Sequence, residues 1–234
     1  LAGVLLGVMI QLKYFSVVAI PELLLKGKWR ALAAMFFIVA AVSAVSVGVL
    51  GWEIHRQFLS VVLGEHLQSN LTQQTPFSAS FQSIDSLLRT LFVFDATLNQ
   101  NPFLDAPQVY VAVKFVLIAT AIIVAAFAAL SLKKKSLESN LSFAIFCLLG
   151  LLIAPATATY HFLLLWLPVG ILLHHCKSTH DNKLFSLALS AYSLIGFIPY
   201  SVFRQFDGDG ALTLLAYPRL YLVALLFSVS IVSR

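Results

Sequence analysis

The chain has 234 residues, of which 60% are hydrophobic and only 11% carry a charged side chain. Soluble domains are roughly one quarter charged, so this composition excludes an ordinary soluble domain and indicates an integral membrane protein. The formal net charge is +5. The basic residues fall in small groups between apolar runs, which is typical of membrane topology, and we expect no nucleic-acid partner.

Seven apolar runs approach or reach the roughly 20 residues that a transmembrane helix needs. The run at 115–130 lacks the polar alternation of a transmembrane barrel. The sequence therefore predicts an all-α polytopic membrane protein, a single transmembrane domain over 1–234 with about seven transmembrane helices. The predicted spans are Leu1–Leu24, Ala31–Trp52, Val109–Leu132, Leu141–Ala154, His161–Cys176, Leu184–Phe203 and Leu212–Val232.

The two ends of the chain both touch apolar runs. Leu1 already lies inside one, and Arg234 directly follows another. We interpret the chain as the C-terminal part of a longer protein.

Basic residues in short loops mark the cytoplasmic side of a membrane protein. Such residues follow the first, third and fifth runs: Lys26, Lys28, Arg30, Lys133, Lys134, Lys135, Lys177 and Lys183. The outer face is then predicted to hold the connections 53–108, 155–160 and 204–211.

The first outer connection, 53–108, is far longer than the roughly 15 residues beyond which loops usually have a function. Residues 54–67 and 80–94 show apolar residues at helical spacing. They predict short amphipathic helices along the outer membrane surface. In the second, Asp85 and Arg89 lie four residues apart and can pair. Arg89 could bind a lipid-linked phosphate through its planar guanidinium, or the pair could simply be solvated.

Two further places combine polar and apolar residues. Lys13 lies inside the first apolar run, where a cation is costly unless it reaches water or a partner. It either faces a cavity that holds an anionic ligand or snorkels to the membrane surface near Pro21.

The second place is the turn APATATYH at 154–161. Pro155 ends the fourth helix, and Thr157 or Thr159 is predicted to cap the fifth. Tyr160 and His161 would lie at a helix start, which favours anions, and histidine exchanges protons near neutral pH. The alternative is that both residues anchor the helix at the membrane surface.

Other motifs are weaker. Asp207 and Asp209 lie in a glycine-rich turn without the further ligands of a calcium loop, and we expect a flexible turn and no metal site. No Walker loop, HExxH or GxSxG motif occurs, so ATPase, zinc-protease and serine-hydrolase functions get no support.

Three segments resemble the C-terminal half of glycosyltransferase family 87, whose members belong to the GT-C superfamily of multi-span enzymes. Segment 6–33 resembles a span with a lysine, a following proline and a basic turn. Segment 82–89, QSIDSLLR, resembles a Gln-Ser-Leu segment followed by an arginine. Segment 154–173 resembles a proline-rich turn that leads to a histidine and a Leu-Leu-Pro helix.

The resemblance implies that a hexose, most often mannose, moves from a polyprenyl-phosphate donor to a lipid or glycan acceptor at the outer face of the plasma membrane. It implies an inverting mechanism without a nucleotide-sugar, and we expect no cofactor. In such enzymes an acid in the first outer loop is the base, and here that loop would precede Leu1. Arg89, Lys13 and Gln82 would then bind the donor phosphate, and Tyr160 and His161 would lie near the reacting sugar.

Two other functions fit the same composition. A transporter or flippase of lipid-linked sugars also needs buried cations and polar outer turns, and a structural membrane subunit would leave these residues unrelated in space. Our hypothesis is that Arg89, Tyr160 and His161 line one outward cavity.

Overall fold

The computed structural model describes residues 1–12, 14–67, 75–132 and 140–233. Every regular element in these ranges is a helix, which confirms the predicted all-α class. The α-helices are α1 (Ala2–Leu12), α2 (Ala19–Leu25), α3 (Trp29–Leu50), α4 (Trp52–Gln57), α5 (Gly64–Leu67), α6 (Ile84–Phe92), α7 (Pro107–Leu132), α8 (Leu141–Ile153), α9 (Trp166–Ser178), α10 (Asn182–Phe197) and α11 (Pro218–Val232). Tighter 3₁₀ helices cover Tyr14–Val18, Thr159–Leu165, Tyr200–Val202, Arg204–Phe206 and Gly210–Ala216, and a π-helix covers Phe58–Leu63.

The helices form two compact units, residues 1–67 and 68–234. In the first unit, α1 packs directly against α3. A side chain at Gly3 would place its Cβ 2.1 Å from the Ala31 carbonyl oxygen, and one at Gly7 would lie 2.8 Å from the Met35 carbonyl oxygen. Glycines four residues apart allow close helix contact in membranes, where apolar side chains alone give little driving force.

The second unit is a helix bundle with α8 at its centre. Most of α8 is buried, and it packs against α7, α9 and α11. Helix α10 packs against α9 and α11. A helix of 13 residues is about 20 Å long, which is shorter than the roughly 30 Å hydrocarbon core.

The predicted number of seven spans is not confirmed. Among the residues that the structure describes, three helices are long and apolar enough to cross a membrane, namely Trp29–Leu50, Pro107–Leu132 and Thr159–Ser178. A fourth span results if Gly210–Ala216 and Pro218–Val232, bent by 60°, count as one. The prediction of seven is not confirmed because three of the predicted runs form shorter helices. Run 1–24 forms α1 and α2, run 141–154 forms α8, and run 184–203 forms α10, which has 16 residues.

Helix boundaries in the second unit follow from specific residues. The Ser83 hydroxyl accepts a hydrogen bond from the Ser86 amide at the start of α6, and the Asp181 carboxylate does so from the Leu184 amide at the start of α10, as N-cap residues do. Pro218 occupies the first turn of α11, where its missing N–H costs nothing. These boundaries place the connections between helices at defined ends of the bundle.

Candidate functional site

One end of the second unit is covered by three segments, residues 75–106, 154–161 and 199–217, which we call the polar cap. They lie where α7 and α11 begin and where α8 and α10 end. The segments are joined by hydrogen bonds from Gln82 N to Thr157 O (3.0 Å), from Ser83 Oγ to Pro155 O (2.8 Å) and from Ala79 N to Asp207 Oδ2 (2.7 Å). The polar cap therefore brings together described parts of the three predicted outer connections.

The polar cap contains a network around the carboxylate of Asp85, which is 3% exposed. Arg89 Nη2 lies 3.5 Å from Asp85 Oδ2, which confirms the predicted pairing of these two side chains. The Tyr110 hydroxyl donates to Asp85 Oδ1 at 2.6 Å, and Lys114 forms an ion pair with the same oxygen. We call these four residues the Asp85 network.

The Asp85 network has two cations and one carboxylate, hence a surplus of one positive charge. The guanidinium of Arg89 and the ammonium of Lys114 lie 5.2 Å and 5.3 Å from the centre of the Tyr110 ring. The side chains of Arg89 and Lys114 are 20% and 26% exposed. The alternative of a solvated pair does not apply because Asp85 is buried. Because Arg89 and Lys114 are partly buried, water screens their charges only in part, and they would attract an anion that contacts both.

Sequence reasoning missed Tyr110 and Lys114 in this network. Their spacing of four places them on one face of α7, but only the packing of α6 against α7 shows that this face meets Asp85. Six of the nine residues of helix α6 are buried. Its place along the outer membrane surface stays a prediction.

The side chain of Gln82 is 2% exposed and bonds to backbone on both sides. Its amide nitrogen donates to the carbonyl oxygens of Ala79 (2.6 Å) and Ala216 (2.9 Å), and its oxygen accepts from the Arg219 amide (3.0 Å). These bonds give Gln82 a bracing role in the polar cap. Its contact with a donor phosphate stays a prediction.

The turn before the 3₁₀ helix is held by a histidine and not by a threonine. The Ala158 amide donates to His161 Nδ1 at 3.0 Å, whereas Thr157 Oγ1 donates to the carbonyl of Leu151. The prediction that Thr157 or Thr159 caps this helix was wrong, because Ala158 occupies the N-cap position and the hydroxyl of Thr157 is bonded to Leu151 instead. Since Nδ1 accepts a hydrogen bond, the neutral ring carries its proton on Nε2.

Tyr160 and His161 lie together at the surface of this turn. Their ring centroids are 4.2 Å apart, and the Tyr160 side chain is 59% exposed. Both belong to the polar cap, as Arg89 does, but one shared cavity with Arg89 stays a prediction. Lys13 lies outside the described residues.

Next to the polar cap, in the first turn of α11, lies an arginine that sequence reasoning did not single out. Arg219 is 6% exposed. Its guanidinium donates to the Ile198 carbonyl oxygen and to Thr159 Oγ1, both at 3.1 Å. In the sequence, the only indication of this buried arginine was its position as a single basic residue at the start of an apolar run.

Comparison with known proteins identifies the family. The family model of glycosyltransferase family 87 matches residues 1–155, which is more than half of the 234 residues and includes the whole Asp85 network. His161 and Arg219 lie beyond the match. No curated protein and no solved structure gives a significant match. The chain belongs to glycosyltransferase family 87, and this membership makes it a membrane glycosyltransferase.

Proposed function

We propose that the chain binds the donor in a hexosyltransferase. The enzyme moves a hexose, which we propose to be mannose, from a polyprenyl-phosphate donor to a lipid or glycan acceptor. The reaction takes place at the outer face of the plasma membrane. The observation that carries this proposal is the Asp85 network, with its surplus cation and its partly exposed Arg89 and Lys114.

The donor is an anion throughout the reaction. Transfer breaks the bond between the sugar and the phosphate oxygen, and the phosphate leaves with one more negative charge than it had as a diester. Arg89 can donate two parallel hydrogen bonds to phosphate, and Lys114 adds a second charge. Fixed cations near the leaving oxygen stabilise the transition state more than the bound donor. Asp85 holds both cations in place.

His161 acts as a hydrogen-bond donor and not as a base. With Nδ1 occupied by the Ala158 amide, the proton on Nε2 can bond to a sugar hydroxyl or a phosphate oxygen. The Tyr160 ring lies beside the imidazole, with the two ring planes tilted by 37°. The family resemblance implies that a carboxylate accepts the acceptor's proton.

The test is steady-state transfer by the complete protein with a polyprenyl-phosphate sugar, in membranes or detergent. Arg89→Gln and Lys114→Gln each remove one charged hydrogen-bond donor, worth about 1.5–3 kcal/mol, and should lower kcat/KM by roughly 10- to 100-fold. Lys114→Arg keeps the charge and should keep most of the activity. Arg204→Gln changes an exposed arginine of the same polar cap and should have little effect. Normal kcat/KM in both Gln variants would remove the Asp85 network from the site.

The main alternative, a transporter or flippase of lipid-linked sugars, has one observation in its favour. The helix pair Gly210–Ala216 and Pro218–Val232 is bent by 60°, and broken helices are common in transporters, where they usually occur in both halves. Incubating the purified protein with donor and acceptor separates the two functions. A glycosylated acceptor supports the transferase, and movement of intact donor across a vesicle membrane without product supports the transporter.

A further inference from the structure

Arg219, in the first turn of α11 beside the polar cap, lies at the end of an apolar groove that is separate from the Asp85 network. The groove has a volume of about 710 Å³ and runs between the 3₁₀ helix Thr159–Leu165, the start of α9 and the last turns of α10. Its walls include Phe162, Leu163, Trp166 and Phe197. Ligand sites typically have volumes of about 300–1,000 Å³.

Arg219 is a buried cation whose contacts are all neutral. It donates to a carbonyl and a hydroxyl oxygen, and its guanidinium lies 5.5 Å from the centre of the Phe162 ring. No carboxylate forms an ion pair with it anywhere in residues 1–12, 14–67, 75–132 and 140–233. A buried charge costs several kcal/mol unless an opposite charge compensates it. The groove therefore provides a place where a negative charge would be stabilised.

The rest of the groove suits a hydrocarbon chain. Leu163, Trp166 and Phe197 are 78%, 76% and 84% exposed, although large apolar side chains in contact with water would be unfavourable. In a membrane protein these side chains face lipid.

The chain segment that forms one wall of the groove is about as long as one leaflet is thick. The seven residue steps from Thr159 to Trp166 span about 14 Å at the 3₁₀ rise of roughly 2 Å per residue. This is about half of the 30 Å hydrocarbon core. An acyl chain of a phospholipid has this reach, with its phosphate at the level of Arg219.

We propose that this groove binds an anionic phospholipid, with the phosphate on Arg219 and one acyl chain along Phe162, Leu163 and Trp166. The planar guanidinium suits a phosphate oxygen pair, and the net negative headgroup supplies the charge that Arg219 lacks. The site does not depend on the proposed transfer reaction, because the ligand is a membrane lipid and not a sugar donor.

Titration of the delipidated complete protein with phosphatidylglycerol, followed by native mass spectrometry, tests the headgroup contact. Binding should be tighter than that of phosphatidylcholine, and Arg219→Gln should weaken phosphatidylglycerol binding by roughly tenfold, since a charged hydrogen bond is lost. Arg204→Gln, an exposed arginine at the same end, should leave it unchanged. Equal binding of the two lipids, or equal binding by wild type and Arg219→Gln, would overturn the proposal.

A second pair of variants tests the acyl-chain contact and leaves Arg219 intact. Gly196 lines the groove, and a Cβ there meets nothing within 4 Å. Gly196→Leu should therefore fold, fill the groove and reduce phosphatidylglycerol binding. Gly170→Leu is the matched control, because Gly170 on α9 is equally open but lies outside this groove. If Gly196→Leu bound lipid as well as Gly170→Leu does, or if soluble glycerophosphoglycerol bound as tightly as phosphatidylglycerol, the acyl-chain contact would be refuted.

Discussion

Replacing Asp85 by asparagine tests whether its carboxylate holds the two cations of the network in place. Asp85 is 3% exposed, accepts from the Tyr110 hydroxyl and pairs with Arg89 and Lys114. Asparagine has the same shape but no charge, so the two cations would repel each other without compensation.

The magnitude follows from the burial of the partners. Breaking a fully buried ion pair costs about 3–5 kcal/mol, and breaking an exposed pair about 0–1 kcal/mol. Arg89 and Lys114 keep 20% and 26% exposure and hence part of their hydration. We expect Asp85→Asn to lower the free energy of unfolding by about 2–3 kcal/mol, because its cost lies between these limits.

Thermal unfolding of the complete protein in detergent measures this effect. For a chain of this size about 1 kcal/mol corresponds to 2–4 °C in Tm, so Asp85→Asn should unfold roughly 4–12 °C below wild type. Asp209→Asn, the same substitution at an exposed acid of the polar cap, is the control. Equal Tm values for the two variants would refute the reasoning.

Three further predictions concern other parts of the molecule. Gly3→Leu should destabilise the first unit by about 1–3 kcal/mol because the new side chain meets the α3 backbone. Gly48→Leu changes an open position of α3 and should leave the stability unchanged. Equal Tm values for the two variants would contradict the close contact between α1 and α3. His161→Asn keeps an acceptor for the Ala158 amide, so this variant should keep the wild-type Tm but lose transfer activity. His161→Ala should lose transfer activity and also about 1 kcal/mol of stability. An active Asn variant would exclude a chemical role for the imidazole ring. Burial raises the pKa of the Asp207 carboxyl above its usual 3.8, although the Ala79 amide and Arg204 act in the opposite direction. The folded protein therefore holds this proton more tightly than the unfolded chain does. The stability that the protonated carboxyl contributes is fully present below pH 3.8 and is lost as the pH rises through the folded-state pKa. Tm of wild type relative to Asp207→Asn should therefore fall as the pH rises above 3.8, and a relative rise would contradict the assignment.

Local sequence patterns predicted the site only where the interaction is itself local. The pairing of Asp85 with Arg89 follows from their spacing on one helix turn. The contribution of Tyr110 and Lys114 depends on α6 packing against the face of α7 that carries them, and their spacing along α7 does not show which element that face meets.

Apolar runs predicted the fold class but overestimated the length of individual helices. The run 1–24 reads as one span, yet its described residues form two α-helices and a 3₁₀ segment. Hydropathy measures the preference of side chains for lipid, and it gives little information about the residues at which a helix begins or ends. The capping of the turn by His161 was missed for a related reason, since threonine is the commoner cap and only the geometry shows which side chain reaches the amide.

We propose that Arg89 and Lys114 bind the phosphate of the lipid-linked donor, and a structure of the complete protein with a bound polyprenyl-phosphate sugar would show where that phosphate lies. We expect phosphate oxygens within hydrogen-bond distance of the Arg89 guanidinium and the Lys114 ammonium. A phosphate bound elsewhere, for example on Arg219, with the Asp85 network unoccupied, would contradict it.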